Sequence, residues 1–581
     1  MSTQSRAKFP TLCLLGSAGL LALAVVADLG STAAAVVPIA SEPVAARTGG
    51  TAPAAAAVPK PRWQACGDGT ECTTITVPLD HRRRVRGTIE LAVARMPASN
   101  PQRRVGALFV NPGGPGAPSS MYLADFAQTL GPDVTARFDL IGIDPRGVGG
   151  SAPFSCTVSV GTYGMPELSR AYPVTVAETR LHVAHDDYLR RSCARAKAQI
   201  QSFMTTADSA RDMDVVRAAL GEKTLNYYGM SYGSYLGLTY ANLYPKTVRT
   251  MVLDGVLDPI SWSTGQGSSG TRTPVSARTG SASASWAALN TVFRACATAP
   301  AGSCPQGTAA ARQWSTITAR LRRGPLRYAG ERLYLQDLIQ AVQTELYDGR
   351  QLSELMWQLH DLHRAIAPAA AGRGSAASAD PRATDRVRAS ISALRAKAQA
   401  AAARPAPWSR TWSGRLSAGS VSSGGGVTGT ATAAMTLRQD MGLVGVMCSD
   451  SVNPIQSATW SKVAADQNRR APGFGPLWTW NSSMCAGWRA KAPNVYRGPF
   501  TAKPAHGLLL MANTGDGPTP AAGARTVRRL SPGSRLVLTD MVGHTTADAS
   551  SCASRVRTRY LLTGALPNRD LTCQPDRPLF F

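Results

Sequence analysis

The chain has 581 residues, 44% of them hydrophobic, with a formal net charge of +26. That length and apolar content suit a globular protein with a large core and more than one lobe. No internal stretch is long and apolar enough to span a membrane. The basic residues are scattered, Arg82 to Arg84 being the densest run, and lack the interleaved aromatic platform that nucleic acid strands require. The charge therefore predicts a solvated surface, weak association with anionic cell-wall polymer, and no nucleic acid partner.

At the N-terminus, Arg6 and Lys8 precede the apolar stretch Leu12 to Val26, and Ser31-Thr-Ala-Ala-Ala35 offers small residues for cleavage. This pattern predicts a signal peptide over residues 1–35 and an exported mature chain without a transmembrane segment. An uncleaved membrane anchor is the competing reading. Cys13 lies inside the apolar stretch, which argues against a lipid-anchor cysteine. Residues 36–62 are Ala- and Pro-rich and read as a linker or propeptide.

Residues 63–261 read as the first part of a core. Strand candidates are Thr88 to Ala94, Gly106-Ala-Leu-Phe-Val110, Phe138 to Ile143, Thr224 to Tyr228 and Thr250-Met-Val-Leu253. Apolar strands separated by helical segments predict a mostly parallel sheet covered on both faces. Ligands bind such sheets beyond the carboxyl ends of the strands. Asn111-Pro-Gly-Gly-Pro-Gly116, Asp144-Pro-Arg-Gly147 and Asp254-Gly255 all stand at such ends.

Residues 262–435 read as a helical cap insertion with flexible segments. Residues 262–285 are Ser-, Gly- and Thr-rich and are expected to be mobile. Leu352, Leu355, Met356, Leu359, Leu362 and Ile366 share one helical face, a core stripe rather than a cofactor site. Residues 367–431 are Ala-, Ser- and Gly-rich and are expected to be loose. Residues 436–581 complete the core, with strands at Gly507 to Ala512 and Arg535 to Thr539.

Without Cys13, ten cysteines remain, an even number that predicts disulfides in an exported chain. Sequential pairing is the simplest arrangement: Cys66–Cys72, Cys156–Cys193, Cys296–Cys304, Cys448–Cys485 and Cys552–Cys573. No CxxC pair occurs, which argues against a zinc or redox site. No cofactor is called for.

The centre of the chain carries Gly229-Met-Ser-Tyr-Gly233, a G-x-S-x-G pentapeptide between a strand pattern and a helix pattern. That setting predicts a nucleophile elbow with Ser231 at its tip. A serine hydroxyl needs a base within reach and a group to orient that base. The chain has seven histidines. His182, His185, His360 and His363 lie in helical, charged surroundings and are expected on the surface. His81 adjoins an arginine run, and His506 precedes its strand. His544 follows a strand and is the candidate base. Asp516 is the only acid in the loop after Ala512, and Asp540 is its rival. The order Ser, Asp, His is that of the α/β hydrolases. The Tyr232 amide and an amide of the Asn111–Gly116 loop, Gly114 before Gly113, are the candidate oxyanion donors. That loop lacks the Lys-Ser/Thr ending of a phosphate-binding P-loop.

Together these residues resemble the secreted tripeptidyl aminopeptidases of the α/β-hydrolase superfamily, relatives of the proline iminopeptidases with a TAP-like C-terminal region. The matching pieces are Asn111-Pro-Gly-Gly-Pro-Gly116, Asp144-Pro-Arg-Gly147, Tyr228-Gly-Met-Ser-Tyr-Gly233, Leu253-Asp-Gly-Val-Leu-Asp-Pro259, Cys448-Ser-Asp450, Phe474-Gly475 with Cys485-Ala-Gly-Trp488, Asp516-Gly-Pro-Thr-Pro520, and Gly543-His544. The resemblance implies an α/β-hydrolase fold with a helical cap, Ser231, Asp516 and His544 as catalytic triad, and release of short peptides from free N-termini. The acid loop departs from the family's Gly-x-x-Asp-Pro, reading Asn-Thr-Gly-Asp-Gly-Pro. An aminopeptidase also needs an anion for the substrate ammonium, for which the cap offers Asp337, Glu345, Asp348 and Glu354.

The expected function is thus a secreted serine exopeptidase acting on peptide substrates. A carboxylesterase or lipase-like hydrolase with the same triad is the alternative. A wall-binding protein without catalysis would show a broken triad, and here all three members are present.

Overall fold

The central strands are buried along almost their whole length because both faces of the sheet are covered. The computed structural model describes residues 60–159, 170–195, 199–349, 352–370, 381–403, 436–547 and 549–581. The expected signal peptide, and the linker as far as residue 59, lie outside the described residues. In chain order the strands are β1 (Gln64–Gly67), β2 (Thr70–Pro78), β3 (Thr88–Met96), β4 (Gly106–Asn111), β5 (Phe138–Ile143), β6 (Ser155–Ser159), β7 (Leu225–Met230), β8 (Val248–Asp254), β9 (Leu326–Tyr328), β10 (Glu331–Leu333), β11 (Thr436–Asp440), β12 (Leu509–Gly515), β13 (Arg535–Val542) and β14 (Leu571–Cys573).

Ten of these form one sheet in the order β1-β2-β3-β5-β4-β7-β8-β12-β13-β14. From β5 to β14 every pairing is parallel, whereas β1, β2 and β3 join antiparallel at one edge. β4 and β5 are buried at every residue, while β2 alternates from Thr73 to Val77 between buried and exposed. That contrast follows from position, since the edge hairpin shows one face to water.

The period-two alternation of side chains divides the core. Ala107, Phe109, Tyr227, Met251 and Leu510 point to one face, packed by helices Thr206–Ala219, Tyr232–Leu243 and Ala521–Leu530. Leu108, Val110, Tyr228, Val252 and Met511 point to the other, covered by helices Leu123–Leu130 and Ser551–Thr563. This is the α/β-hydrolase fold, as expected, with a helical cap built on a separate hydrophobic cluster.

The cap departs from the sequence reading in three ways. Residues 381–403, expected to be loose, form a single helix. Val387, Ile391, Leu394, Ala398 and Ala401 fall on one face of it and are buried. The Ala-rich composition masked that stripe. Of the rest of that stretch, residues 367–370 end the helix Leu352–Ala370, and residues 371–380 and 404–431 lie outside the described residues. The segment after residue 262, expected to be mobile, holds short helices at Ser269–Arg272 and Val275–Arg278. Arg278 organises it by donating to the carbonyls of Ser261, Trp262, Ser263, Thr273 and Val452. Finally, the cap cluster takes Trp460, Phe474, Leu477, Trp478 and Trp480 from beyond residue 435, so the cap core continues into the stretch read as core. The stripe from Leu352 to Ile366 is buried in that cluster, as its spacing predicts.

Five disulfides join Cys66–Cys72, Cys156–Cys193, Cys296–Cys304, Cys448–Cys485 and Cys552–Cys573, the sequential pairing. Among the described residues no helix is long and apolar enough to cross a membrane.

The Asp144-Pro-Arg-Gly147 turn acts through its arginine. Arg146 is fully buried and grips Asp212 with two bonds, Nε to Oδ2 at 2.7 Å and Nη2 to Oδ1 at 2.5 Å. Its remaining donors reach the carbonyls of Pro78, Leu79 and Phe203. His81 also bonds Asp212 Oδ1 at 2.7 Å, so this histidine is structural. Burial pulls the Asp212 carboxyl up, but Arg146 and His81 outweigh it and hold the group below its ordinary value. Removing one partner of such a pair strands a buried charge. Arg146→Met is expected to lower unfolding stability by about 3–5 kcal/mol in a urea titration at pH 7. Because the folded carboxyl sits below its unfolded value, its stabilising share exists above pH ~4 and is lost on acidification. The deficit should therefore narrow below that pH. An unchanged urea midpoint at neutral pH would contradict this reading.

Candidate active site

The site is built from loops at the carboxyl ends of β4, β7, β8, β12 and β13. Between β7 and helix Tyr232–Leu243 stands Ser231, with φ 56° and ψ −126°. A non-glycine residue there stores on the order of 1–3 kcal/mol of strain. The surroundings hold it in place. The Ser231 N–H donates to the Asp254 carbonyl at 2.8 Å, and the Ser231 carbonyl accepts from Ser234 N at 2.8 Å and Oγ at 2.5 Å. The turn is also tight: a Cβ at Gly233 would come within 2.6 Å of the Asn111 carbonyl oxygen. Strand, turn and helix thus meet as the pentapeptide predicts.

His544 and Asp516 come together from different loops. His544 Nδ1 lies 3.0 Å from both carboxylate oxygens of Asp516. With a carboxylate on that side, Nδ1 carries the proton and Nε2 is the basic nitrogen. Nε2 is buried and has no hydrogen-bond partner among the described residues. Asp516 also accepts from Thr519 N at 2.8 Å, Thr519 Oγ1 at 3.0 Å and Thr545 N at 3.1 Å. Asp540, the rival acid, is exposed and accepts from Thr514 Oγ1. The Gly for Pro departure after Asp516 leaves this geometry intact.

Asp254 connects the nucleophile to the base. Its carbonyl takes the Ser231 N–H, while its buried carboxylate accepts from Thr546 N at 2.8 Å, Ala547 N at 3.3 Å and the Tyr228 hydroxyl at 3.0 Å. Burial raises this carboxyl against those bonds and the charge of Arg557. In the next residue, a Cβ at Gly255 would sit 3.3 Å from His544 Cε1. Asn513 ties the acid loop to the base loop by donating to the carbonyls of Gly543 and Thr545. The cap closes over the base. The His544 N–H donates to the Tyr347 carbonyl at 2.9 Å, and the Tyr347 ring meets the imidazole edge to face at 5.0 Å.

For the oxyanion, Tyr232 N opens its helix, where amides lack intrahelical acceptors. The glycine loop lies against it: a Cβ at Gly113 (φ +96°) would be 2.5 Å from the Met230 carbonyl oxygen, 2.9 Å from Ser231 Cβ and 3.0 Å from Tyr232 N. Gly113 N–H itself donates to Asn111 Oδ1 at 2.9 Å, so of the two candidate amides in this loop Gly113 is taken and Gly114 remains the candidate.

Sequence reasoning missed Thr519, Asp254, Asn513 and Tyr347, because their roles are hydrogen bonds across loops. Thr519 and Asp254 stood inside quoted motifs, which was their only signal. Two histidines expected on the surface are buried. His182 bonds Ser483 Oγ at 3.3 Å and packs on Trp480, and His185 lies against Asp186. Of the cap carboxylates, Asp337 bonds Tyr334 N, and Glu345 and Glu354 both pair with Lys397. Asp348 adjoins Tyr347. Among the described residues no group of three or more His, Cys, Asp or Glu could hold a metal ion.

Residues 106–275 match the family described as alpha/beta hydrolase fold, and residues 471–573 the family described as TAP-like protein. A tripeptidyl aminopeptidase of Streptomyces lividans is 39% identical over 194 residues, 32% of this chain and 36% of that protein. Serine protease Hip1 of Mycobacterium tuberculosis is 36% identical over 196 residues, 33% of this chain and 36% of that protein. The chain thus spans about a third of the length of these curated relatives. A Mycobacterium tuberculosis protein named carboxylesterase B is 28% identical over 572 residues, 93% of this chain and 95% of its own. Among solved structures, a probable hydrolytic enzyme of Pseudomonas aeruginosa aligns over 85% of this chain and 94% of its own, at 12% identity and a TM-score of 0.30.

The tight contact at Gly113 generates a test. Gly113→Ala pushes a methyl into Ser231 and the Tyr232 amide. It is expected to cost about 10²-fold in kcat/KM toward a chromogenic ester or peptide amide, comparable to losing one oxyanion donor. Turnover within threefold of the parent would show that the loop does not bear on the serine.

Proposed function

We propose, taking this chain as an α/β hydrolase with a TAP-like C-terminal region and serine-peptidase relatives, that it is an exported serine exopeptidase releasing tripeptides or other short peptides from free N-termini. The observation that carries this reading is the buried Asp516–His544 pair, whose base loop and the Ser231 elbow are both bonded to Asp254.

The reaction is acyl transfer. His544 Nε2, which has no hydrogen-bond partner among the described residues and is free to act, takes the Ser231 proton as Oγ attacks the substrate carbonyl. Asp516 holds Nδ1–H and stabilises the imidazolium. The Tyr232 and Gly114 amides receive the oxyanion of the tetrahedral intermediate. The imidazolium then protonates the leaving amine. Water, deprotonated by the same nitrogen, hydrolyses the acyl-enzyme and frees Ser231. No step calls for a cofactor.

The substrate ammonium needs an anion, for which the cap carboxylates Asp337, Glu345, Asp348 and Glu354 remain the candidates. Five disulfides suit an oxidising, extracytoplasmic location. The +26 charge favours weak adhesion to an anionic wall. A second reading, a carboxylesterase with the same triad, draws support from the relative of that name aligned over 93% of this chain.

Ser231→Ala is expected to lose ~10³-fold or more of peptide-anilide hydrolysis while remaining folded by circular dichroism. Full residual activity would sink the triad assignment. Comparison of a free tripeptide anilide with its N-acetylated form should favour the free form strongly. Equal rates on the two would rule out an aminopeptidase, and turnover of a simple ester alone would support the esterase.

A further inference from the structure

Helix Gly442–Asp450 packs on the glycine loop at its start and is linked to Tyr232 through Thr206 at its end. At its start, Leu443 lies against the glycine loop. A Cβ at Gly116 (φ +99°) would come 2.9 Å from Leu443 N and 3.1 Å from its Cα. At its end, Asp450 is 1% exposed and satisfied by three donors. Oδ1 accepts from Thr206 N at 2.8 Å, and Oδ2 from Thr206 Oγ1 at 2.5 Å and Trp262 Nε1 at 3.3 Å. The Thr206 hydroxyl has a single proton, which goes to the carboxylate. Its lone pair therefore accepts from the Tyr232 phenol. The Tyr232 ring is 3% exposed and stands 5.8 Å from the Trp262 ring. The relay from carboxylate to hydroxyl to phenol ends on the residue whose backbone amide faces the oxyanion.

The helix itself is held firmly. Cys448 is bonded to Cys485, and Met441 N donates to the Phe154 carbonyl at 2.9 Å. Burial pushes the Asp450 carboxyl up to about 6, opposed by Thr206, Trp262 and the charge of Arg497. The triad chemistry makes no use of this group.

We infer that Asp450, through Thr206 and the Tyr232 phenol, is a positioning residue that sets the Tyr232 amide, while the helix bearing it sets the Gly113–Gly116 loop, so that both donors converge on the oxyanion. The inference rests on the acyl-transfer reading of Ser231.

Thr206→Val removes the relay hydroxyl at constant volume, and Thr206→Ser restores it. The valine variant is expected to lose about tenfold in kcat with KM unchanged, on both a peptide anilide and an ester. That is milder than outright loss of a donor, because the amide is misaligned rather than removed. Affinity for a peptide boronate, which mimics the tetrahedral oxyanion, should fall by the same factor. The serine variant should stay within twofold of the parent, and Asp450→Asn should follow the valine variant. If the valine variant does not fold, Tyr232→Phe keeps the ring, removes only the hydroxyl, and must give the same split. Unchanged kcat and boronate affinity, an equal loss in the serine variant, or a loss confined to KM would overturn the inference. Ser231→Ala assayed alongside separates the two levels. Its inactivity with a fully active valine variant defeats only the relay, whereas its activity defeats the acyl-transfer reading and the relay with it.

Discussion

The buried carboxylate of Asp254 is the interaction on which the arrangement of the site depends. The main chain of this residue receives the Ser231 N–H, and its side chain receives two amides of the loop that follows His544. The Ser231 elbow and the His544 loop are thereby referred to the end of a single strand, β8. Burying a carboxylate is costly unless its lone pairs are met, and here Thr546, Ala547 and Tyr228 meet them. Arg557 stands behind Tyr228, bonding its hydroxyl and the Ala547 carbonyl. The base loop therefore cannot shift without uncovering a buried charge.

A second constraint comes from the cap. Tyr347 supplies the acceptor for the His544 amide and the ring against its imidazole. Ser285 lies against Gly517, next to the acid, and takes a hydrogen bond from Trp478 of the cap core. The lobe that would select the acyl group is thus in direct contact with both the acid loop and the base. The cap core and the Asp516–His544 pair share one packed surface, so under the proposed function a change in the cap core would bear on the chemistry as well as on binding.

Much of the core was legible in the residues because parallel strands buried on both faces leave continuous apolar runs, and each ends in a loop rich in glycine, proline or aspartate. The runs at Phe138 to Ile143 and Arg535 to Thr539 coincide with β5 and the start of β13. The scarcity of histidine let His544 be singled out by elimination as the candidate base. The same logic failed for His182 and His185. Their helix carries charged residues, yet it packs its polar face under Trp480 and Ser483, and only the cap shows that. The Ala-rich run at residues 381–403 failed for a related reason. Alanine marks a helix face weakly in hydropathy, although it packs closely against a neighbouring helix.

By itself the sequence determined seven strands of the sheet and the turns that end them, the strand-turn-helix at Ser231, and Asp516 and His544 as the candidate acid and base. Those follow from local periodicity and from which residue types can perform the chemistry. Only the tertiary structure decided that Thr519, Asn513 and Asp254 bond the loops of Asp516, His544 and Ser231, that Tyr347 packs on His544, and that Asp450 reaches Tyr232 through Thr206. Each of these is a directional bond between groups far apart in the chain. A hydrogen bond requires an angle and a distance near 3 Å, and those are properties of the folded arrangement that no spacing along a sequence contains.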